Sequence, residues 1–318
     1  MNSSDSETSS DSETSSSSSD ASSSSDTANS LMNLKSTKAR FLKTYRHQSF
    51  SLPNSIMYYM ATNPKNAEVY QKLVQSCKFF FVKNPILVLS DLRYDGEEWE
   101  TKVNDAWKFI DLNNISSKLW ITDNFYVYLT NEDTVASSII PRIYQCNVKK
   151  LTLWHQIISY DEFMVLAAAV EHLNLRRVTV KYDDGTVVPF EKLVEQLLNV
   201  KKYFIYLPSG PTGPSAFAFP TFKELLKIPH FATLDLLGLW NIPETFDVET
   251  FYAYMKKNKH TNIHLHFCDT ISEAYKNRLE EMVDEIIGAD KHEYKVPVIS
   301  FDGLDQEKKE KLEILFRQ

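Results

Sequence analysis

Residues 148–153 read "VKKLTL", with apolar side chains at Val148, Leu151 and Leu153 and polar or basic residues between them. Apolar residues two apart mark a half-buried strand. The further apolar residue three positions ahead gives the form L-x-x-L-x-L, and the chain repeats that form. "LRRVTV" places Leu175, Val178 and Val180; "VKKYFI" places Val200, Tyr203 and Ile205. "FATLDLLGL" places Phe231, Leu234 and Leu236, with Leu239 extending it. Two flanking copies lack the leading residue: "SSKLWI" keeps Leu119 and Ile121, and "HTNIHLHF" keeps Ile263 and Leu265. The copies recur roughly every 30 residues, a period typical of repeat architectures. Strands are therefore expected near residues 120, 152, 179, 204, 235 and 264.

Amphipathic helix patterns fill the intervals. "SYDEFMVLAAAVEHL" opens on a capping box, Ser159 to Glu162, and carries Phe163, Leu166, Val170 and Leu173 on one face. "PFEKLVEQLLN" has a proline where a first turn tolerates it. "PTFKELLKI", "DVETFYAYMKKN" and "TISEAYKNRLEEMVDEII" follow, the last with a second capping box expected at Thr270 and Glu273. Strands alternating with helices imply an α/β fold of parallel strands and crossover helices. Near-constant spacing favours a curved solenoid over a doubly wound sheet. The pattern resembles leucine-rich repeats, in an irregular form. The asparagine that normally follows the strand is missing, and Gln156, Asp183, Pro208 and Leu239 stand near that place. "KYDDGTVV" reads as a local hairpin on Asp184-Gly185, and "PSGPTGPSAFAFP", 208–220, as a flexible loop.

With 318 residues, 43% of them hydrophobic, the chain can bury a sizeable core. Three scattered cysteines, Cys77, Cys146 and Cys268, do not make a disulfide framework and point to a reducing compartment. The opening residues carry no secretory or transit pattern, and no apolar run approaches the roughly 18 residues of a membrane span. A cytoplasmic or nuclear protein is expected, with no membrane partner.

The net charge of −7 belongs mostly to one segment. Residues 1–30 hold six acidic residues, no Lys or Arg, and sixteen serines. The remainder has 35 basic against 36 acidic residues, too balanced to drive binding to a phosphate backbone, so nucleic acid is not an expected partner. A Ser/Asp/Glu-rich tail over 1–34 cannot bury enough apolar surface to offset chain entropy and is expected to be disordered. Ser4, Ser10, Ser17 and Ser23 each precede an acidic residue by three positions, the pattern favoured by acidophilic kinases. Phosphorylation would add roughly −1.5 to −2 charges per site. A regulatory tail and a plain solubilising spacer both fit.

Between tail and repeats, over 35–85, "SLPNSIMYYM" starts a short helix at Leu52-Pro53 with Ile56 and Met60 on one stripe. Asn63-Pro64 breaks the chain, and Val69, Leu73 and Cys77 then align on a second helix. Two such helices make no core alone and must dock on the rest of the chain (86–318) or on a partner. Leu52, Pro53, Ile56, Pro64, Leu73, Cys77, Lys78 and Phe80 together resemble an F-box. Phe80 stands where that family usually has tryptophan. The order F-box then leucine-rich-repeat-like domain resembles divergent F-box proteins expanded in nematodes. The resemblance implies a non-enzymatic substrate receptor of a cullin–RING ubiquitin ligase. It also implies that Leu52, Pro53, Ile56, Met60, Leu73, Cys77 and Phe80 contact a Skp-type adaptor, with a protein substrate as second partner and a monomer outside the complex. A freestanding binding scaffold, with these helices as an end cap, is the alternative.

Motifs for catalysis or cofactor binding are absent: no G-x-S-x-G, H-E-x-x-H, C-x-x-C or phosphate loop occurs. His264, His266 and Cys268 would share one strand face about 7 Å apart. That spacing suits zinc, but a fourth ligand is not evident, and a polar sheet face is the simpler reading. Neither a metal nor a cofactor is expected. Residues between the buried anchors would face a ligand: Lys150, Thr152 and Trp154; Arg177, Thr179 and Lys181; Lys202, Phe204 and Tyr206; Asp235; His264 and His266. Mixed aromatic and cationic groups on a rigid surface suit protein recognition.

Overall fold

The computed structural model describes residues 43–46, 49–128, 131–207 and 222–318. The chain divides into two units, Met1–Leu52 and Pro53–Gln318. The acidic tail, most of the basic stretch after it and the 208–220 loop lie outside the described residues.

Three short helices, α1 (Asn54–Thr62), α2 (Ala67–Ser76) and α3 (Lys78–Lys83), begin the second unit. A long strand β1 (Ile86–Tyr94) follows, then β2 (Trp99–Val103) and β3 (Ala106–Phe109), which pair antiparallel in a meander. β4 (Lys118–Val127) returns to the other side of β1 and pairs with it in parallel. From there the strands are β5 (Ile143–Cys146), β6 (Lys150–Trp154), β7 (Ile157–Ser159), β8 (His172–Arg176), β9 (Thr179–Lys181), β10 (Lys202–Tyr206), β11 (Leu236–Ile242), β12 (Asn262–Phe267) and β13 (Val298–Ser300). The main sheet runs β13-β12-β11-β10-β8-β6-β4-β1-β2-β3, with β5 added on β4. Every pair from β1 to β13 along that path is parallel. β7 and β9 make a separate parallel pair.

Helices α4 (Val135–Ile139), α5 (Tyr160–Ala167), α6 (Phe190–Gln196), α7 (Phe222–Leu225), α8 (Val248–Met255) and α9 (Glu273–Gly288) carry the chain between strands. Their buried faces, such as Phe163 and Leu166 of α5 and Leu279, Met282, Val283 and Ile286 of α9, join the strand anchors in one apolar core. A last helix, α10 (Gln306–Phe316), packs beside β13 through buried Leu312. The architecture is a mixed α/β fold around one large, mostly parallel sheet.

The strands expected near 120, 152, 204 and 264 are present. The one expected near 179 is displaced: the sheet strand is 172–176, and its register pairs Leu151 with Leu173 and Leu153 with Leu175. The repeat there is Val170-x-x-Leu173-x-Leu175, all buried. Val178 and Val180 are also buried, but they lie after the strand, Val180 within β9. A similar shift applies two repeats later, where Leu237 and Leu239 are the anchors and Leu236 points to the opposite side. Val170 and Leu173 accordingly belong to a turn and a strand, and α5 stops at Ala167. Its capping box is formed as expected. For α9 the cap is Ser272, which accepts from the Tyr275 N–H at 3.3 Å, rather than Thr270. The Asp184-Gly185 turn forms, with Gly185 at φ 82° and the Tyr182 N–H donating to Thr186 O.

The lead-in residues of successive strands share one construction. The Lys149 carbonyl accepts from the N–H groups of Glu171 and His172, both at 2.9 Å. The Glu171 carbonyl accepts from Lys201 and Lys202 at 2.8 and 3.1 Å, and the Lys201 carbonyl from Asp235 and Leu236 at 2.9 and 3.2 Å. The side chains at these positions alternate in sign. Glu171 bridges Lys149 at 3.0 Å and Lys201 at 2.7 Å. Hydrogen bonds from Lys201 and then Lys149 hold the Glu171 carboxyl down to about 2. Gln156, between β6 and β7, supplies a second tie. Buried, it accepts from the Ala136 N–H at 2.8 Å and donates to the Glu132 carbonyl at 3.0 Å.

Two outcomes follow from this register. Leu173→Ala should cost about 2–5 kcal/mol in urea unfolding, as for a fully buried leucine, whereas half-buried Leu236→Ala should cost less than about 1.5 kcal/mol; the reverse order would refute the register. The Glu171 carboxyl has its folded pKa below the ordinary 4.5, so its contribution is present above that value and is lost as pH falls toward 2. Unfolding midpoints of wild type and Glu171→Gln should therefore differ at pH 6 and converge near pH 2.

Candidate interaction surfaces

The first surface is the helical segment at the start of the second unit. α1 turns Met57 and Ala61 inward, so Ile56, Tyr58 and Tyr59 are left exposed, at 47%, 54% and 66%. On α2, capped by Asn66 accepting from the Val69 N–H at 2.8 Å, Tyr70 is buried and Val69 is exposed. Tyr70 fixes the segment to the sheet. Its ring packs 6.4 Å from the Trp120 ring of β4, and its hydroxyl donates to Asn84 O and accepts from the Ile86 N–H. Burial pushes the phenol up. Trp120 in turn donates its indole N–H to Asn147 Oδ1 at 2.7 Å and packs against Tyr144. The Asn84 side chain donates to Ala61 O at 3.0 Å, tying α1 to the end of α3.

Of the residues expected to meet an adaptor, Pro53 is exposed at the start of α1 and Ile56 is exposed along it. Leu52, in the first unit, is 46% exposed. Met60, Leu73 and Cys77 are half-buried. Cys77 ends α2 and caps α3, its Sγ accepting from the Phe79 N–H. Phe80 departs from the expectation: it is buried, so it holds the helices together and presents no contact surface. Tyr58 and Tyr59 are additions the spacing did not single out.

The second surface is the sheet side opposite the helical core. Three cross-strand rows run over it. The middle row reads Tyr126, Thr152, Asn174, Phe204, Gly238, His264, and the next reads Trp154, Arg176, Tyr206, Trp240, His266. Ring contacts make the first part continuous. Trp107 of β3 meets Tyr126 at 6.3 Å, Tyr126 stacks on Tyr128 at 5.5 Å, and Tyr128 meets Trp154 edge-on at 5.2 Å. Arg93 lies 4.1 Å over Trp107. Burial, the Tyr128 phenol and Asp91 push Tyr126 up to about 12. Farther along, Phe204 stacks on Trp240 at 5.9 Å, and the Trp240 ring lies over Gly238, where a Cβ would meet it at 2.4 Å. Glycine is required there for close approach.

Trp154, Lys202, Phe204, Tyr206, His264 and His266 sit on this side as expected. Arg177 adjoins it, exposed, one residue past β8. Lys181 and Thr179 belong to the separate β7–β9 pair, and Asp235 is an exposed lead-in residue before β11; the register shifts remove all three from the face. Tyr126, Tyr128, Arg176 and Trp240 were missed. The "HLNLR" stretch at 172–176 carried the signal for Arg176, since it repeats the L-x-L form in register with Leu151 and Leu153.

The histidines are engaged within the fold. His264 packs on Phe316 of α10 at 4.6 Å, and His266 Nδ1 bonds the Ser300 hydroxyl at 2.8 Å. Cys268 Sγ pairs with Thr270 Oγ1 at 3.2 Å, past the end of β12. Among the described residues no cluster of three His, Cys, Asp or Glu side chains is placed to hold a metal ion. No helix among them is long and apolar enough to cross a membrane.

No known protein family matches this chain, and no curated protein matches it in sequence.

Tyr70→Phe should lower stability by about 1–3 kcal/mol, because the buried Ile86 N–H loses its acceptor. A loss below about 0.3 kcal/mol in thermal or urea unfolding would show that the hydroxyl does not hold the segment.

Proposed function

We propose that the chain is a non-enzymatic protein-interaction adaptor, an F-box-type substrate receptor of a cullin–RING ubiquitin ligase. In this reading α1–α3 contact a Skp-type adaptor, and the leucine-rich-repeat-like domain, a degenerate solenoid, receives a protein substrate. Neither nucleic acid nor a membrane is a partner, the compartment is cytoplasmic or nuclear, and the free chain is a monomer. One observation carries the reading. Ile56, Tyr58, Tyr59 and Val69 are exposed within fourteen residues of a segment otherwise held rigid by buried Tyr70 and Phe80. Apolar side chains concentrated on a braced helix mark an interaction surface. The F-box-like spacing of Leu52, Pro53, Ile56, Leu73 and Cys77 gives that surface its partner. The solenoid reading draws on the sequential order of the parallel strands from β4 to β13 and on Gln156 in the asparagine place.

The burial of Phe80 and the docking of Tyr70 favour a second reading, a freestanding binding scaffold in which the helices cover one part of the sheet.

Purified full-length chain should capture a purified Skp-type adaptor. Leu52→Ala with Ile56→Ala should weaken capture by about 30-fold or more, an anchor loss of at least about 2 kcal/mol, while leaving the melting temperature within about 2 °C. Wild-type protein that captures no adaptor would leave the scaffold reading standing.

A further inference from the structure

Trp154 and Arg176 are cross-strand partners at the ends of β6 and β8. Each has a buried donor without a bond, the Trp154 indole N–H and the Arg176 Nε–H. Buried donors are rarely left so, and an unpaired one calls for an explanation. The Arg176 guanidinium lies between two rings, 4.9 Å from Trp154 and 5.0 Å from Tyr206. The two rings hold the guanidinium in place, and a guanidinium so held suits a planar or tetrahedral oxyanion.

Beside it, Arg177 adopts φ 53° and donates its N–H to Tyr206 O, which sets its guanidinium 5.8 Å from the same ring. His155 takes the same left-handed backbone, φ 55°, after β6. Asn241 takes the same conformation, φ 60°, after Trp240 of β11, so the left-handed turn recurs near these strand ends and sets the direction of the side chain it carries. His155 and Arg177 line one cavity of about 430 Å³ with Thr179 and one carboxylate, Asp133. Burial and then the Arg177 and Arg176 charges push the His155 imidazole below the usual histidine range, and the His155 backbone N–H donates to the Arg176 carbonyl at 2.8 Å. Among the described residues neither arginine has a carboxylate within ion-pair distance.

We propose that the His155–Arg176–Arg177 corner is a binding site for a phosphate monoester carried on a partner polypeptide. Two guanidinium groups and an imidazole offer more donors than the two oxygens of a carboxylate can occupy. A phosphate group brings three acceptor oxygens and roughly −1.5 to −2 charges. The chain beyond residue 30 carries 35 basic against 36 acidic residues, too balanced to favour a nucleic-acid backbone. The inference rests on the open sheet side being a partner-binding surface, not on adaptor capture by α1.

The five tryptophan indole N–H signals of the full-length protein provide the test. They are followed by NMR during titration with N-acetylphosphoserine amide, with N-acetylglutamate amide and with a single-stranded oligonucleotide, all at matched ionic strength. The signal absent from the Trp154→Phe spectrum should move and saturate with phosphoserine, at a concentration about tenfold or more below that needed for glutamate. Arg177→Gln changes an exposed side chain, so it should keep the spectrum of the fold and weaken binding about tenfold or more. No movement with phosphoserine, or equal binding by Arg177→Gln, would overturn the proposal. Glutamate binding as tightly as phosphoserine would replace it with a carboxylate site, and tighter oligonucleotide binding would replace the polypeptide. Adaptor capture, read at α1 on the same protein, stays informative whichever way the titration falls.

Discussion

Three central strands, β8, β10 and β11, start where a single carbonyl, at Lys149, Glu171 or Lys201, takes two N–H groups from their lead-ins. A parallel pair has no tight turn to set its register, because its crossover is long and its loops vary. The shared carbonyl does that work. It starts β8, β10 and β11 in step, and every apolar anchor after it then faces the helices. A slip by one residue would turn Leu151, Leu153, Leu173, Leu175, Tyr203 and Ile205 out of the core together. The alternating charges of Lys149, Glu171, Lys201 and Asp235 reinforce the same step. Exposed ion pairs add little stability, but a strand paired out of order would set like charges side by side.

The open side follows from this alignment. Because anchors alternate with the residues between them, fixing the buried row also fixes Trp154 beside Arg176 and Arg176 beside Tyr206. The cation–ring contacts there are products of strand order, not of neighbouring sequence. Arg176 and Trp154 are 22 positions apart in the chain, yet adjacent in the sheet. The same holds for Phe204 and Trp240, whose stacking also depends on Gly238 leaving room beneath the indole.

The alternation of strands and helices, the parallel sense and most anchors were legible in the sequence, since burial on one side imposes a period that composition cannot hide. What misled was local ambiguity. "LNLRRVTV" contains apolar pairs at both 173/175 and 178/180, and both are buried, so hydrophobicity alone does not say which pair enters the sheet. The backbone decides, because Arg177 turns at φ 53° and hands Val180 to the β7–β9 pair. "LDLLGL" has the same ambiguity between Leu236 and Leu237. β2 and β3 escaped because they pair as an antiparallel meander without the L-x-x-L-x-L form; β1, parallel to β4, carries the form in "LSDLRY" at Leu89, Leu92 and Tyr94, and there it was overlooked. The Phe80 expectation failed for a different reason: a family-like spacing says where an aromatic ring stands, not which way the short α3 turns it.

Tyr70 shows how the two surfaces come to share one body. A buried tyrosine needs a partner for its hydroxyl, and here the partners are Asn84 O and the Ile86 N–H, at the junction between α3 and β1. The side chain therefore locks the helices to the sheet at the point where the chain passes from one to the other. That lock fixes which helix faces remain for others. With Tyr70, Met57 and Ala61 turned inward, the helical period leaves Ile56, Tyr59 and Val69 outside. The apolar exposure on α1 and α2 is thus a consequence of bracing the segment against Trp120. A helix so braced presents its outer side chains in a fixed arrangement and loses little further freedom when a partner binds.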